Sequence, residues 1–327
     1  MRLRPIALLS TLAVAGVMLT ACSGDTTATS TPTPTPSAES TCVLDKQAGP
    51  GSDAVQVEGS GLDATITVPA GTEFADVERT VITEGDGEDV VPGDLISVRY
   101  QLLDATTGAV MGTSERGADG VLPVLLNPNQ GQQLSDFTQS SIFVVATECE
   151  PIGSEVVLTL PGSTLGEGAS DVVLYVQTLE LLPTVATGTD QPAVEGMATV
   201  ELDESGAPTI TIPDSDPPAE TVVTALKKGD GPVVGEGDLV TVQYRGVKWS
   251  DGAEFDATWT NGAFPAQFST TAVVVGFKKA LEGQTVGSQV LVEMTPADGY
   301  GASEGHELQN ETLVFVIDIL GTTPLEQ

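Results

Sequence analysis

The chain has 327 residues, with 46 acidic against 12 basic and a formal charge of −34. A surface this acidic is repelled by nucleic-acid phosphates and by anionic lipid headgroups, which excludes binding to either by charge. Hydrophobic residues make up 40% of the chain, enough for packed cores, but His306 is its one histidine. There is no Ser/His/Asp set, no Cys/His pair, and no Asp/Glu/His cluster with the spacing of a metal site, so neither metal nor cofactor is expected.

In chain order, Arg2 and Arg4 precede an apolar run from Ile6 to Leu19. That run is too short and ends too abruptly for a membrane span. It stops at Leu19-Thr20-Ala21-Cys22, with small residues before the cysteine. This resembles the lipobox of bacterial lipoproteins. The resemblance implies removal of residues 1–21, a lipid on Cys22, and an anchor on the outer face of the cell membrane. Residues 22–54 read as a stalk, in which Thr31-Pro-Thr-Pro-Thr-Pro36 favours extended polyproline II. Two other cysteines, Cys42 and Cys149, remain. An exported chain sits where disulfides persist, so the expectation is a bond between them, tying the stalk to the first domain. Two separate buried thiols are the alternative.

The rest of the chain contains itself twice. Thr65-Ile-Thr-Val-Pro69 recurs as Thr209-Ile-Thr-Ile-Pro213, and Gly93-Asp-Leu-Ile-Ser-Val-Arg-Tyr100 as Gly237-Asp-Leu-Val-Thr-Val-Gln-Tyr244. Glu84-Gly-Asp-Gly87 and Lys228-Gly-Asp-Gly231 keep the same offset. This tandem duplication divides the chain into residues 55–184, a linker at 185–195, residues 196–322 and a short tail at 323–327. In the second copy, Val240, Val242 and Tyr244 alternate with polar residues as a half-buried strand. Ser250-Asp-Gly252 turns the chain back into Glu254-Phe-Asp256. Further alternation covers Val290–Met294 and Leu313–Ile319, the latter apolar on both faces. One short helix is expected over about residues 277–282, with Lys278 and Lys279 outward. The fold class is therefore α+β: two tandem domains, each a curved antiparallel sheet on one short helix.

Several short motifs of the second copy lie in a telling order: Gly229-Asp-Gly231, Val242-Gln-Tyr-Arg-Gly246, Phe255-Asp256, Gly276-Phe277, Tyr300-Gly-Ala302 and Thr312-Leu-Val-Phe315. Together they resemble an FKBP-type peptidyl-prolyl isomerase over nearly the whole copy. The resemblance implies rotation of X-Pro bonds in exported or unfolded proteins, with a macrolide as a candidate ligand. It also implies the site residues. Tyr244, Phe255, Val273, Val274 and Phe315 would line a proline pocket, with Phe277 as its floor. A further pocket aromatic falls near Ala266 or Phe264. Tyr300 would donate to a substrate carbonyl, and Asp256 would be the polar group of the wall. For any single Phe or Val, plain core packing is the competing reading.

The match has departures. The floor is Phe277 rather than tryptophan. The basic residue that pairs with the aspartate falls at Asn261. The loop after Tyr300 lacks an Ile-Pro pair, with Leu308 as a stand-in, and His306 in that loop reads as an exposed residue without a role. In the first copy, Met111-Gly112 stands for Phe255-Asp256, Leu165-Gly166 for Tyr300-Gly301, and Tyr175 for Phe315. This domain is expected to be inactive. The rival to the enzyme reading is a non-catalytic binding or chaperone lipoprotein of the same fold.

Overall fold

Ten residues of near-continuous burial, Leu95–Asp104 in the first half and Leu239–Lys248 in the second, set the centre of two matching sheets. The computed structural model describes residues 46–126, 139–262 and 264–325. The leader, most of the stalk, Cys22 and Cys42 lie outside the described residues. Cys149 is disulfide-bonded.

The first half runs α1 (Pro50–Ala54), β1 (Gln56–Glu58), β2 (Thr65–Thr67), β3 (Glu78–Thr83), β4 (Leu95–Asp104), β5 (Val110–Thr113), β6 (Leu122–Leu125), α2 (Gln139–Thr147), β7 (Glu155–Leu160), α3 (Gly162–Leu165) and β8 (Val172–Leu181). Its main sheet is ordered β3-β7-β8-β4-β5, and β6 also pairs with β4. The second half runs β9 (Thr189–Asp190), β10 (Thr199–Leu202), β11 (Pro208–Thr211), β12 (Val222–Lys228), β13 (Leu239–Lys248), β14 (Glu254–Ala257), β15 (Ala266–Ser269), α4 (Val275–Leu281), β16 (Gln289–Met294) and β17 (Leu313–Thr323). Its sheet is ordered β9-β12-β16-β17-β13-β14, with β15 on β13. Strand for strand this repeats the first sheet, with β9 added, and every pairing is antiparallel. The α+β expectation is met in both halves.

Each sheet is covered on both faces, which explains why β7 and β16 are buried at every position. On the front, α2 packs against Val98, Tyr100, Leu158 and Leu174, and α4 against Val242, Tyr244, Val292 and Phe315. On the back lies a hairpin. β1–β2 brings Val57 and Ile66 onto Val157, Val173 and Tyr175. β10–β11 brings Val200 and Ile210 onto Val247, Trp249, Leu291 and Val314. The repeated Thr-Ile-Thr motifs form the second strand of each hairpin. Their single Ile faces the sheet and the flanking threonines face out.

Three expectations need correction. Helix α4 starts at Val275, so Gly276 lies inside it rather than before it. Residues 185–195 are not a free linker. Gly188 donates to the Gly287 carbonyl at 2.9 Å and Gln191 to that of Leu226 at 2.8 Å. Ala186 is buried and donates its backbone N–H to Asp318 Oδ2 at 2.8 Å, beside Gln289 Nε2, which donates to Oδ1 at 2.8 Å. Finally, Tyr175 is not the counterpart of Phe315. Phe315 faces Gly246 across β13–β17, and the residue in that place in the first half is Leu174, opposite Leu102. A slip of one residue moves a side chain to the other face. Tyr175 accordingly points to the back, where its hydroxyl accepts from the Gly61 N–H at 3.0 Å and burial pushes its phenol up to about 12.

The two halves touch. Leu95 and Leu125 of the first cluster with Leu320 of the second, with Leu182 packed against them. Pro123 of β6 lies against Gly321 of β17.

Candidate functional site

The front of the second sheet carries an aromatic cavity. Tyr244 and Gly246 share one face of β13, being two residues apart. Asp256 of β14 pairs with Gly246, and the Tyr244 hydroxyl donates to Asp256 Oδ2 at 2.7 Å. Burial, reinforced by that carboxylate, raises the Tyr244 phenol above its ordinary range, so it stays a proton donor. Phe315 comes from β17 on the other side of Gly246. A Cβ on Gly246 would lie 2.6 Å from the Phe315 ring and 2.8 Å from the Phe255 ring. Glycine is what lets both rings cross the strand and meet edge to face at 5.3 Å.

Helix α4 places Phe277 beneath them. Its ring is edge-on to Phe315 at 5.3 Å, Tyr244 at 5.8 Å and Phe268 at 6.0 Å. Edge-to-face pairs of this kind each add about 0.5–1.5 kcal/mol beyond area burial, so the wall is stiff. The cavity they enclose has a volume of about 300 Å³ and is lined by Tyr244, Asp256, Phe268, Ala272, Val273, Val274, Phe277, Tyr300 and Phe315. Apolar rings surround one carboxylate and two phenols, an arrangement suited to an apolar ring flanked by amide groups.

The sequence-derived residues do not all meet there. Tyr244, Asp256, Val273, Val274, Phe277, Tyr300 and Phe315 do. Phe255 stands behind Phe315 as its support. Leu308 is buried in the core beneath the loop and does not line the cavity. Phe264 is the clear miss. It precedes β15, is 42% exposed, and its ring lies over Gly93 of the first half, where a Cβ would come within 2.5 Å of it. The aromatic that does line the cavity is Phe268. Pairing of β15 with β13 sets Phe268 opposite Val240 and Ala266 opposite Val242, both on the buried face. The two-residue alternation Ala266–Phe268 was the available signal. His306 is exposed in the loop, as expected, but its ring stacks on Tyr300, with centroids 4.1 Å apart and planes 4° from parallel.

The first half keeps the frame and lacks this chemistry. Tyr100 meets Phe143 of α2 edge-on at 5.0 Å, as Tyr244 meets Phe277. Gly112 pairs with Leu102 where Asp256 pairs with Gly246, and Met111 is 58% exposed in the place of Phe255. The Tyr100 hydroxyl accepts from Arg116 Nη1 at 3.3 Å instead of donating to a carboxylate.

Comparison with known proteins agrees with this geometry. Residues 231–320 match the family model described as FKBP-type peptidyl-prolyl cis-trans isomerase. A FK506-binding protein of Streptomyces anulatus is 37% identical over 118 residues, 35% of this chain and 94% of the relative. A probable FK506-binding protein of Corynebacterium glutamicum is 32% identical over 114 residues, 35% of this chain and 96% of the relative. Among solved structures, FkpA from Escherichia coli aligns at 26% identity and a TM-score of 0.31, over 40% of this chain and 53% of that one. With nearly the full length of two such relatives matched at these identities, the chain belongs to the FKBP-type peptidyl-prolyl cis-trans isomerase family, and so to the isomerases.

Proposed function

We propose that the second half carries the isomerase site and rotates X-Pro peptide bonds of exported proteins at the outer face of the cell membrane. The observation that carries this reading is the cavity itself, in which the Tyr244–Asp256 pair and Tyr300 stand among Phe268, Phe277 and Phe315. The uncatalysed barrier of roughly 18–20 kcal/mol reflects lost amide resonance. A twisted amide is less polar than a planar one, so a dry apolar wall favours it over water. Catalysis of this kind is differential binding of the twisted form and needs no nucleophile. The proline ring would sit on Phe277, the Tyr300 hydroxyl would donate to a substrate carbonyl, and Asp256, oriented by Tyr244, would hold the polar side of the amide. Anchoring through Cys22 is supported by the leader sequence, and export by the disulfide at Cys149. The first half, with Gly112 and Leu174 in place of Asp256 and Phe315, is read as non-catalytic.

Protease-coupled isomerisation of a short X-Pro peptide tests the assignment. The chain lacking residues 1–22 is the right sample, because removing residues before 192 would delete β9 and the Ala186–Asp318 bond. Turnover that falls in both Asp256→Ala and Tyr300→Phe supports the site. Turnover unchanged in both places the chemistry elsewhere. Replacing Cys22 by Ala should release the full-length protein from the membrane fraction, and its retention there would remove the anchor.

A further inference from the structure

The loop after Tyr300 is a series of turns that brings His306 back over the ring it follows. Ser303 N–H donates to the Tyr300 carbonyl at 2.9 Å, His306 N–H to that of Ser303 at 3.1 Å, and Gln309 N–H to that of His306 at 3.0 Å. Gln309 Nε2 ties the far end to the Gly301 carbonyl at 3.4 Å. At the bottom of the loop Leu308 is buried in the core, and its N–H donates to His306 Nδ1 at 3.1 Å. The imidazole is therefore held by an anchored backbone group on its edge and lies flat on Tyr300, 4.1 Å away.

Tyr300 needs such a support. It packs on the edge of the core that holds Tyr244, Phe277 and Phe315, but among the described residues its aromatic ring pairing is with His306 rather than with the edge-to-face cluster. Its ring also comes from an irregular loop rather than from a strand or helix, where backbone order alone would fix it less tightly. We infer that His306 is a positioning residue for the isomerase reaction: by stacking on Tyr300 it holds the phenol hydroxyl at the cavity. The inference rests on the proposed role of Tyr300. His306 does not line the cavity and acts through that ring. It also gives this loop, which lacks an Ile-Pro pair, a defined task of bracing a donor.

The test is a kinetic cycle on the chain lacking residues 1–22, with His306→Ala, His306→Phe, Tyr300→Phe and the Tyr300→Phe/His306→Ala double variant. In His306→Ala, kcat/KM for an X-Pro peptide should fall about three- to tenfold, the weight of one stacked aromatic pair. The loss should lie in kcat, because the hydroxyl acts on the twisted form. His306→Phe keeps a flat ring and should recover to within about twofold of wild type. Once Tyr300 is Phe there is no hydroxyl to place, so adding His306→Ala should cost nothing more. Proton NMR should show the Tyr300 ring signals shifted by ring current in wild type and His306→Phe but not in His306→Ala. A wild-type rate in His306→Ala, an equal loss in His306→Phe, or an undiminished effect in the Tyr300→Phe background would each overturn the inference while the isomerase reading stands. An inactive wild type overturns both.

Discussion

Gly246→Ala is a one-methyl change placed where two rings cross a strand. The added carbon would sit 2.6 Å from Phe315 and 2.8 Å from Phe255. Ordinary carbon contact is about 3.5 Å or more, so each ring must withdraw by somewhat under about 1 Å. Neither withdraws freely. Phe315 is wedged at 5.3 Å against both Phe255 and Phe277 and at 6.1 Å from Tyr244. Overpacking of this kind costs about 1–3 kcal/mol. Replacing glycine within a strand returns about 0.5–1 kcal/mol, leaving a net loss of up to about 2.5 kcal/mol, centred on about 1 kcal/mol. Urea unfolding would measure it. Because Phe315 is also cavity wall, kcat/KM should fall about tenfold or more, a consequence of misplacing a binding surface. Adding Phe255→Leu removes one of the two obstructing ring edges and should restore part of both losses. Gly246→Ala with wild-type stability and rate would refute the claim that this glycine shapes the cavity.

Other outcomes follow from the same contacts. Asp318 is buried and its acid is raised, first by burial, against the opposing pull of the Ala186 N–H, Gln289 and Lys227. Its stabilising contribution is thus complete below the unfolded-state value and is lost as pH rises through the folded-state value. The stability of Asp318→Asn relative to wild type should therefore climb between about pH 4 and about pH 8 in urea titrations, and a flat difference would contradict it. Asp318→Ala leaves the Ala186 N–H and the Gln289 amide without an acceptor and should cost about 1–3 kcal/mol at the low end of that pH range, a cost that shrinks as pH rises. Phe264→Ala should lower stability by about 1 kcal/mol, as expected for a partly exposed ring, and leave kcat/KM of a short peptide unchanged, since Phe264 packs on Gly93 and not on the cavity. Cys149→Ser should cost about 2–4 kcal/mol by thermal unfolding under oxidising conditions, and no cost would deny the bond a stabilising role.

Much of the fold could be read from the chain because duplication and strand alternation are both periodic signals. Val242 and Tyr244 are two residues apart on β13, where that spacing fixes the face, and their placement followed from the pattern, whereas Phe255 falls at a register shift in the β13–β14 pairing. Phe268 escaped because β15 is a four-residue strand whose register depends on pairing with β13, information that no local stretch contains. Tyr175 was set on the wrong face by a single-residue slip in β8, which β-sheet geometry punishes fully. The stacking of His306 on Tyr300 was out of reach for another reason. It arises from a chain of loop turns anchored by Leu308, and turns of mixed polar residues carry no period. The two apolar faces of β17 could be read from the chain, but only the structure identifies the hairpin that covers its back.

The account turns on whether the aromatic cavity of the second half catalyses rotation or merely holds a chain. Exchange NMR on an X-Pro peptide with a small molar fraction of the chain lacking residues 1–22 addresses this directly, because it reports binding and turnover in one sample. The account predicts cis–trans exchange peaks on a subsecond timescale, against tens of seconds unaided, and their loss in Asp256→Ala with Tyr300→Phe. Saturable shifts of cavity resonances such as Phe268 and Phe277, with no exchange above the uncatalysed rate, would contradict it and leave a binding module in its place.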